Sequence, residues 1–192
     1  VEAVLPPVAC QWRQVRWPES RWPEDPQRQL ARHEAALQLG TPLSYLDVQL
    51  LPLALPQPTS LAVAVASQLL ERWIEVFSLA GVSLVRLEAA QISLCRAFSA
   101  LRPAGWAAPA LALLQLESQS SWLLIVEQGV PVYERGLPGL DQGSALPQAL
   151  RRTLQFWCQQ QPDAEPPPLL CHGAAAADPE RLRELGAGLE SP

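Results

Sequence analysis

The sequence predicts an α/β fold with mixed strands and helices in two lobes. Apolar runs of strand length alternate with stretches whose apolar residues recur at steps of three and four. A break at Arg102-Pro103-Ala104-Gly105 separates a half read as strand, helix, strand, helix from a half in which three strands precede any helix. Hydrophobic residues make up 48% of the 192 and charged ones only 17%, so the chain is globular and long enough to bury a core.

In the first half, no charge occurs between Asp47 and Glu71, yet Pro52, Pro56 and Pro58 interrupt that stretch. A membrane-spanning helix would lose hydrogen bonds at each proline, so the stretch reads as two strands joined by a proline turn. They are Tyr45 to Leu55 and Leu61 to Ala66, the second an unbroken apolar run suited to a central strand. A helix follows with Leu69, Leu70, Trp73, Val76, Phe77 and Ala80 on one side and Glu71, Arg72 and Glu75 on the other. Ser67 is its expected cap, and Gly81 its expected end. Val82 to Leu87 then reads as a strand and Ala89 to Ala100 as a helix, an order that predicts parallel pairing through a right-handed crossover.

In the second half, Ala110 to Leu116, Ser121 to Glu127 and Val130 to Gly136 read as strands. Gln128-Gly129 joins the last two as a hairpin. After Pro138-Gly139 a helix runs from about Ser144 to Gln160, with Leu146, Leu150, Leu154 and Trp157 on one stripe. Leu169 to Cys171 is a buried strand, and Asp178-Pro179 opens a last helix through Leu189. Strand, strand, strand, helix, strand, helix is the order of a ribonuclease H-like lobe.

Composition excludes several chemistries. The chain contains no Lys, Asn or Met, so all 14 cations are Arg. Without Lys there is no Walker P-loop and no Schiff-base lysine; without Asn there is no Cys-His-Asn triad. A net charge of −5 gives nothing to exchange against phosphate counterions, so no nucleic-acid partner is expected. Cys10, Cys95, Cys158 and Cys171 never form a C-x-x-C pair, and only His33 and His172 could join them, so no metal site is expected and the thiols read as small hydrophobes. No nucleophile sits in sequence context with a His, and no carboxylates cluster, which argues against an enzyme. The absence of Met leads us to expect upstream sequence before Val1.

Together the segments resemble the actin-like PilM proteins that assemble type IV pili and related DNA-uptake machinery. Residues 1 to 7, VEAVLPP, are similar to that family's strand ending in proline. Residues 12 to 51, from WRQVRWPES to LDVQLL, resemble the inserted subdomain it shares with the cell-division protein FtsA. Residues 61 to 98, with the core SQLLERWIEVFSLAGVSLVRLEAA, resemble its helix, strand and acidic residue. The resemblance implies an actin-like ATPase fold with ribonuclease H-like lobes: 1–8 and 57–104 as the first lobe, 9–56 as the inserted subdomain and 105–192 as the second lobe. The first phosphate hairpin would lie upstream of Val1.

The resemblance also implies ATP and Mg²⁺ at a second phosphate loop reading Asp-Ile-Gly, followed by small hydroxyl residues. The matching stretch, Leu114 to Ser121, reads LQLESQSS, with Glu117 downstream of the expected Asp and no glycine for close backbone approach. The adenosine strand keeps one glycine in Cys171-His172-Gly173-Ala174. The expectation is therefore a degenerate nucleotide site at Glu117, Ser118, Ser120, Ser121, Gly173 and Ala174, with no cofactor required. Ser118, Ser120 and Ser121 read more simply as a hairpin turn, and His172 as a strand-end histidine satisfied locally.

For partners, the resemblance implies the cytoplasmic tail of a bitopic, PilN-like inner-membrane protein, with Trp17, Trp22, Leu30 and Tyr45 as the candidate face. Trp12, Trp17 and Trp22 are alternatively the core of a small lobe. Arg13, Arg16, Arg21 and Arg28 are either a solvated face or attractive to acidic lipid or an acidic partner. The functional expectation is an adaptor on the cytoplasmic side of the inner membrane, meeting the bilayer only through its partner and open to self-association or contact with other platform proteins. The alternatives are an ATP-dependent switch and the cytoplasmic domain of a type II secretion platform protein.

Overall fold

A computed structural model describes the chain except for residues 18–25, 27–28, 31, 34–35, 38–41, 54, 102–108, 162–164 and 191–192. It divides into two units, Val1–Leu94 and Cys95–Pro192.

Among the described residues, the first unit holds two small sheets. β1 (Glu2–Leu5) pairs in parallel with β5 (Arg86–Ala89). β2 (Cys10–Arg16), β3 (Leu46–Leu53) and β4 (Thr59–Ala66) form an antiparallel sheet in the order β2-β4-β3. The apolar run of β4 takes the central place expected of it, with Leu61, Ala62 and Ala64 buried. Pro52 lies in β3, an edge strand, where a missing N–H breaks fewest ladder bonds. Two expectations fail here. β4 and β5 are not parallel partners, because β4 is taken on both sides by β2 and β3 while β5 pairs with β1. The strand expected from Val82 begins only at Arg86, where its partner Glu2 begins; Val85 makes one bond, to the Val1 carbonyl at 2.9 Å.

Helix α1 (Ser67–Leu79) follows β4 without a loop, so Ala66 occupies the cap position and Ser67 does not cap. It ends as expected at Gly81, whose φ of 67° is the left-handed turn that glycine tolerates. α2 (Ala90–Leu101) follows β5 and crosses the division between the units.

The second unit is a four-stranded sheet, order β8-β7-β6-β9, from β6 (Ala110–Gln115), β7 (Ser120–Glu127), β8 (Val130–Pro138) and β9 (Leu169–His172). β9 joins β6 in parallel and the other pairs are antiparallel. The β7–β8 hairpin turns on Gln128 and Gly129 with φ of 51° and 82°, the two positive angles that match the twist of the strands. α3 (Ala145–Gln160) and α4 (Pro179–Glu190) join Leu114, Leu123, Ile125, Leu146, Leu150 and Leu185 in one core. Asp178 caps α4, its Oδ1 accepting from the Glu180 N–H at 2.9 Å.

Candidate functional site

The hairpin connection between β6 and β7 carries the residues matched to a phosphate loop. Parallel pairing sets β9 beside β6, so the Leu116 N–H donates to the His172 carbonyl at 2.9 Å and Gly173 emerges against the hairpin. Gly173 has φ of 99°, and a Cβ there would lie 2.9 Å from the Leu116 carbonyl oxygen. Angle and space both demand glycine. Ala174, exposed, opens a 3-10 turn over Ala174–Ala177.

The hairpin is held from its far side. The Leu140 N–H donates to the Glu117 carbonyl at 3.0 Å, Asp141 N–H to Ser118 at 2.9 Å, and Gln142 Nε2 to Gln119 at 3.0 Å. Gly139 makes this approach, since a Cβ on it would come within 2.2 Å of the Gln119 carbonyl carbon and the Ser118 oxygen. Glu117, Ser118 and Ser120 remain exposed. Ser121 does not: it is 3% exposed, and its Oγ lies 3.5 Å from the Glu117 N–H as acceptor. The Glu117 carboxylate accepts from Gln115 Nε2 at 3.1 Å. The connection thus offers one carboxylate and two hydroxyls to solvent.

His172 stands beside Glu117. Burial lowers the imidazole pKa, while the Glu117 charge pulls it the other way. Its Nε2 is buried with no hydrogen-bond partner among the described residues. The sequence reading missed Gly139 and its clamp, treating Pro138-Gly139 as a break before α3. Its only local signal was a glycine next to a proline.

The face assigned to a partner is less uniform than expected. Trp17 is core, not surface: it is 7% exposed, packs on Val15 and Ala62, and its Nε1 donates to the buried Ser60 Oγ at 2.9 Å. Tyr45, in a 3-10 turn at the start of β3, is 55% exposed. Leu30 is helical and 37% exposed. Arg32, also helical, reaches the Leu46 carbonyl with Nη2 at 3.5 Å. Trp22, Arg21 and Arg28 lie outside the described residues.

None of the four cysteines is in a disulfide. Cys10 and Cys95 are buried as small hydrophobes, and burial pushes the Cys95 thiol up to about 12. Among the described residues, no three His, Cys, Asp or Glu side chains gather as metal ligands, and no helix is long and apolar enough to cross a membrane.

Compared with known proteins, the chain matches no family model and no curated protein by sequence. Its architecture matches solved structures. Over 98% of its length it superposes on 67% of a chain of the PilM-PilN type IV pilus biogenesis complex, with a TM-score of 0.72 at 17% identity. It likewise matches, at TM-score 0.56 and 10% identity, a Bacteroides thetaiotaomicron protein of actin-like ATPase fold, over 98% of this chain and 65% of that one. The chain has an actin-like fold. A third actin-like match is the cytoplasmic domain of EpsL, an inner-membrane component of the Vibrio cholerae type II secretion system: TM-score 0.59, 11% identity, all of this chain and 75% of that one. The chain spans about two thirds to three quarters of these actin-like structures.

Proposed function

We propose that this actin-like chain is an adaptor of an inner-membrane assembly platform of the type IV pilus kind, binding the cytoplasmic tail of a bitopic, PilN-like protein. The observation that carries the reading is the likeness to the PilM-PilN complex over 98% of the chain at a TM-score of 0.72. The exposed Tyr45 supports it, because it sits at the start of edge strand β3, where an extended peptide can add main-chain hydrogen bonds and fill a side-chain pocket.

In this reading the nucleotide loop is degenerate and the chain is not an enzyme. A phosphate cradle presents successive free amides and carboxylates for Mg²⁺. Here the Glu117 N–H points at Ser121, the hairpin has no glycine of its own, and Glu117 is its single carboxylate. These residues do not fit Mg-ATP. The likeness to the EpsL cytoplasmic domain favours a second reading, the corresponding part of a type II secretion platform.

Trp fluorescence tests the proposal, with the partner's tail peptide titrated into the protein. Saturable binding without nucleotide, weakened about tenfold by Tyr45→Ala and Leu30→Ala as expected of anchoring side chains, supports the adaptor. Binding only with Mg-ATP replaces it with a nucleotide switch. A pilus tail that fails where a type II secretion partner's tail binds favours the second reading, and no binding of either overturns both.

A further inference from the structure

A cavity of about 720 Å³ lies between α3 and α4; none of the hairpin residues 115–121 lines it, although Leu140, whose N–H holds the Glu117 carbonyl, is in its wall, and its charged lining is lopsided. Arg151, Arg152 and Arg181 face it against one carboxylate, Glu184, in a chain whose net charge is −5. Gly188 of α4 lets the helices approach. A Cβ on Gly188 would lie 2.8 Å from Pro147 of α3.

The three guanidiniums are differently engaged. Arg151 donates from Nη2 to the Gly188 carbonyl, while its Nε is buried with no hydrogen-bond partner among the described residues. Arg181 pairs with Asp178 at 3.5 Å, a contact at the surface that solvent screens. Arg152 is exposed and has no carboxylate partner among the described residues. The lining also includes Ser144 at the start of α3, which makes no side-chain cap bond, and the first turn of that 16-residue helix contains no acid. The positive end of the helix therefore adds to the arginine field without internal compensation.

We propose that this cavity binds a phosphate-bearing ligand. Guanidinium forks match phosphate oxygens in pairs, and amides at a helix start favour the same charge. The volume exceeds that of a lone phosphate and falls in the range of about 300 to 1,000 Å³ typical of small-molecule pockets. The group it takes is therefore a terminal phosphate or diphosphate on a larger body, either a soluble metabolite or a lipid headgroup. Neither the adaptor reading nor the hairpin is needed for it.

The test uses the full chain and two probes. Calorimetric titration with pyrophosphate at constant ionic strength reads the soluble source. Sedimentation with phosphatidylcholine vesicles, with and without phosphatidic acid, reads the headgroup source. Saturable binding in either arm is expected, weakened about tenfold or more in Arg152→Glu and Arg181→Glu, since each reversal replaces attraction by repulsion. Both side chains are exposed, so circular dichroism and melting should be unchanged in these variants. Pyrophosphate binding assigns a soluble ligand, and binding to phosphatidic acid vesicles alone assigns a headgroup. Binding in neither arm overturns the proposal, as does binding undiminished in folded variants. Loss on Glu117→Gln but not on the arginine reversals also overturns it, by moving the site to the hairpin.

Discussion

The two units satisfy their apolar residues in different ways. In Cys95–Pro192 one core runs from the sheet to both helices, with Ala112, Leu114, Leu123, Ile125, Leu146 and Leu150 entirely out of solvent. In Val1–Leu94 the buried apolar residues form small clusters, one on the β2-β4-β3 sheet and one joining both sheets with Trp73 of α1. α1 buries no residue fully, and Ile74, Val76 and Leu79 are 51%, 63% and 81% exposed. An amphipathic pattern alone thus forms a helix without securing its burial. The second unit has the interlocked packing that makes a unique state; the first half-buries the apolar face of α1 and leaves Ile74, Val76 and Leu79 open to solvent.

The sharpest way to break that comparison is a matched pair of truncations. Leu114→Ala should cost about 3 to 5 kcal/mol, because a fully buried leucine loses both transfer energy and the packing around the cavity it leaves. Val76→Ala should change stability by about 0.5 kcal/mol or less, as expected at an exposed site. Urea unfolding measures both. Equal costs would mean that the α1 face is covered in solution.

A smaller effect separates the hairpin clamp from the strand beside it. Gly139→Ala must push a Cβ into the backbone of Ser118 and Gln119, so it should destabilise by about 1 to 3 kcal/mol. Gly136→Ala in β8 has nothing within 4 Å of its Cβ and should be near neutral, within about 0.5 kcal/mol. Thermal melts of the two variants suffice. If they melt alike, the 139–142 segment does not clamp the hairpin and this part of the second unit is as loosely held as α1.

How much of this was legible in the sequence depended on distance along the chain. The β7–β8 hairpin was, because Gln128-Gly129 carries its own turn chemistry, and so was the end of α1 at Gly81. The apolar run of β4 announced a central strand through hydrophobicity alone. The partners of β4 and β5 were not legible, since pairing is set by contacts among strands far apart in sequence. In the candidate site, the resemblance singled out Gly173 as a strand-end glycine, but its close approach to Leu116 and the grip of Gly139 on a hairpin twenty residues earlier left no local mark. Trp17 shows a different limit. An indole suits an interface or a core equally, and only the buried hydroxyl of Ser60, 43 residues away, decides for the core.

The smallest effect concerns His172, half-buried at the end of the second unit's sheet. Burial lowers the folded pKa of His172, so in acid the unfolded chain takes up the proton first. The stability tied to the neutral ring is present above the unfolded value of about 6.5 and is lost as pH falls from there towards the folded value. Glu117 opposes the shift, so the loss is modest. Melting temperatures at pH 7.5 and pH 5.5 for wild type and His172→Gln measure it. Wild type should lose more on acidification than the variant. Parallel losses would show that His172 is solvated in practice, and that the end of the sheet carrying Gly173 is as open as the first unit's exposed helix.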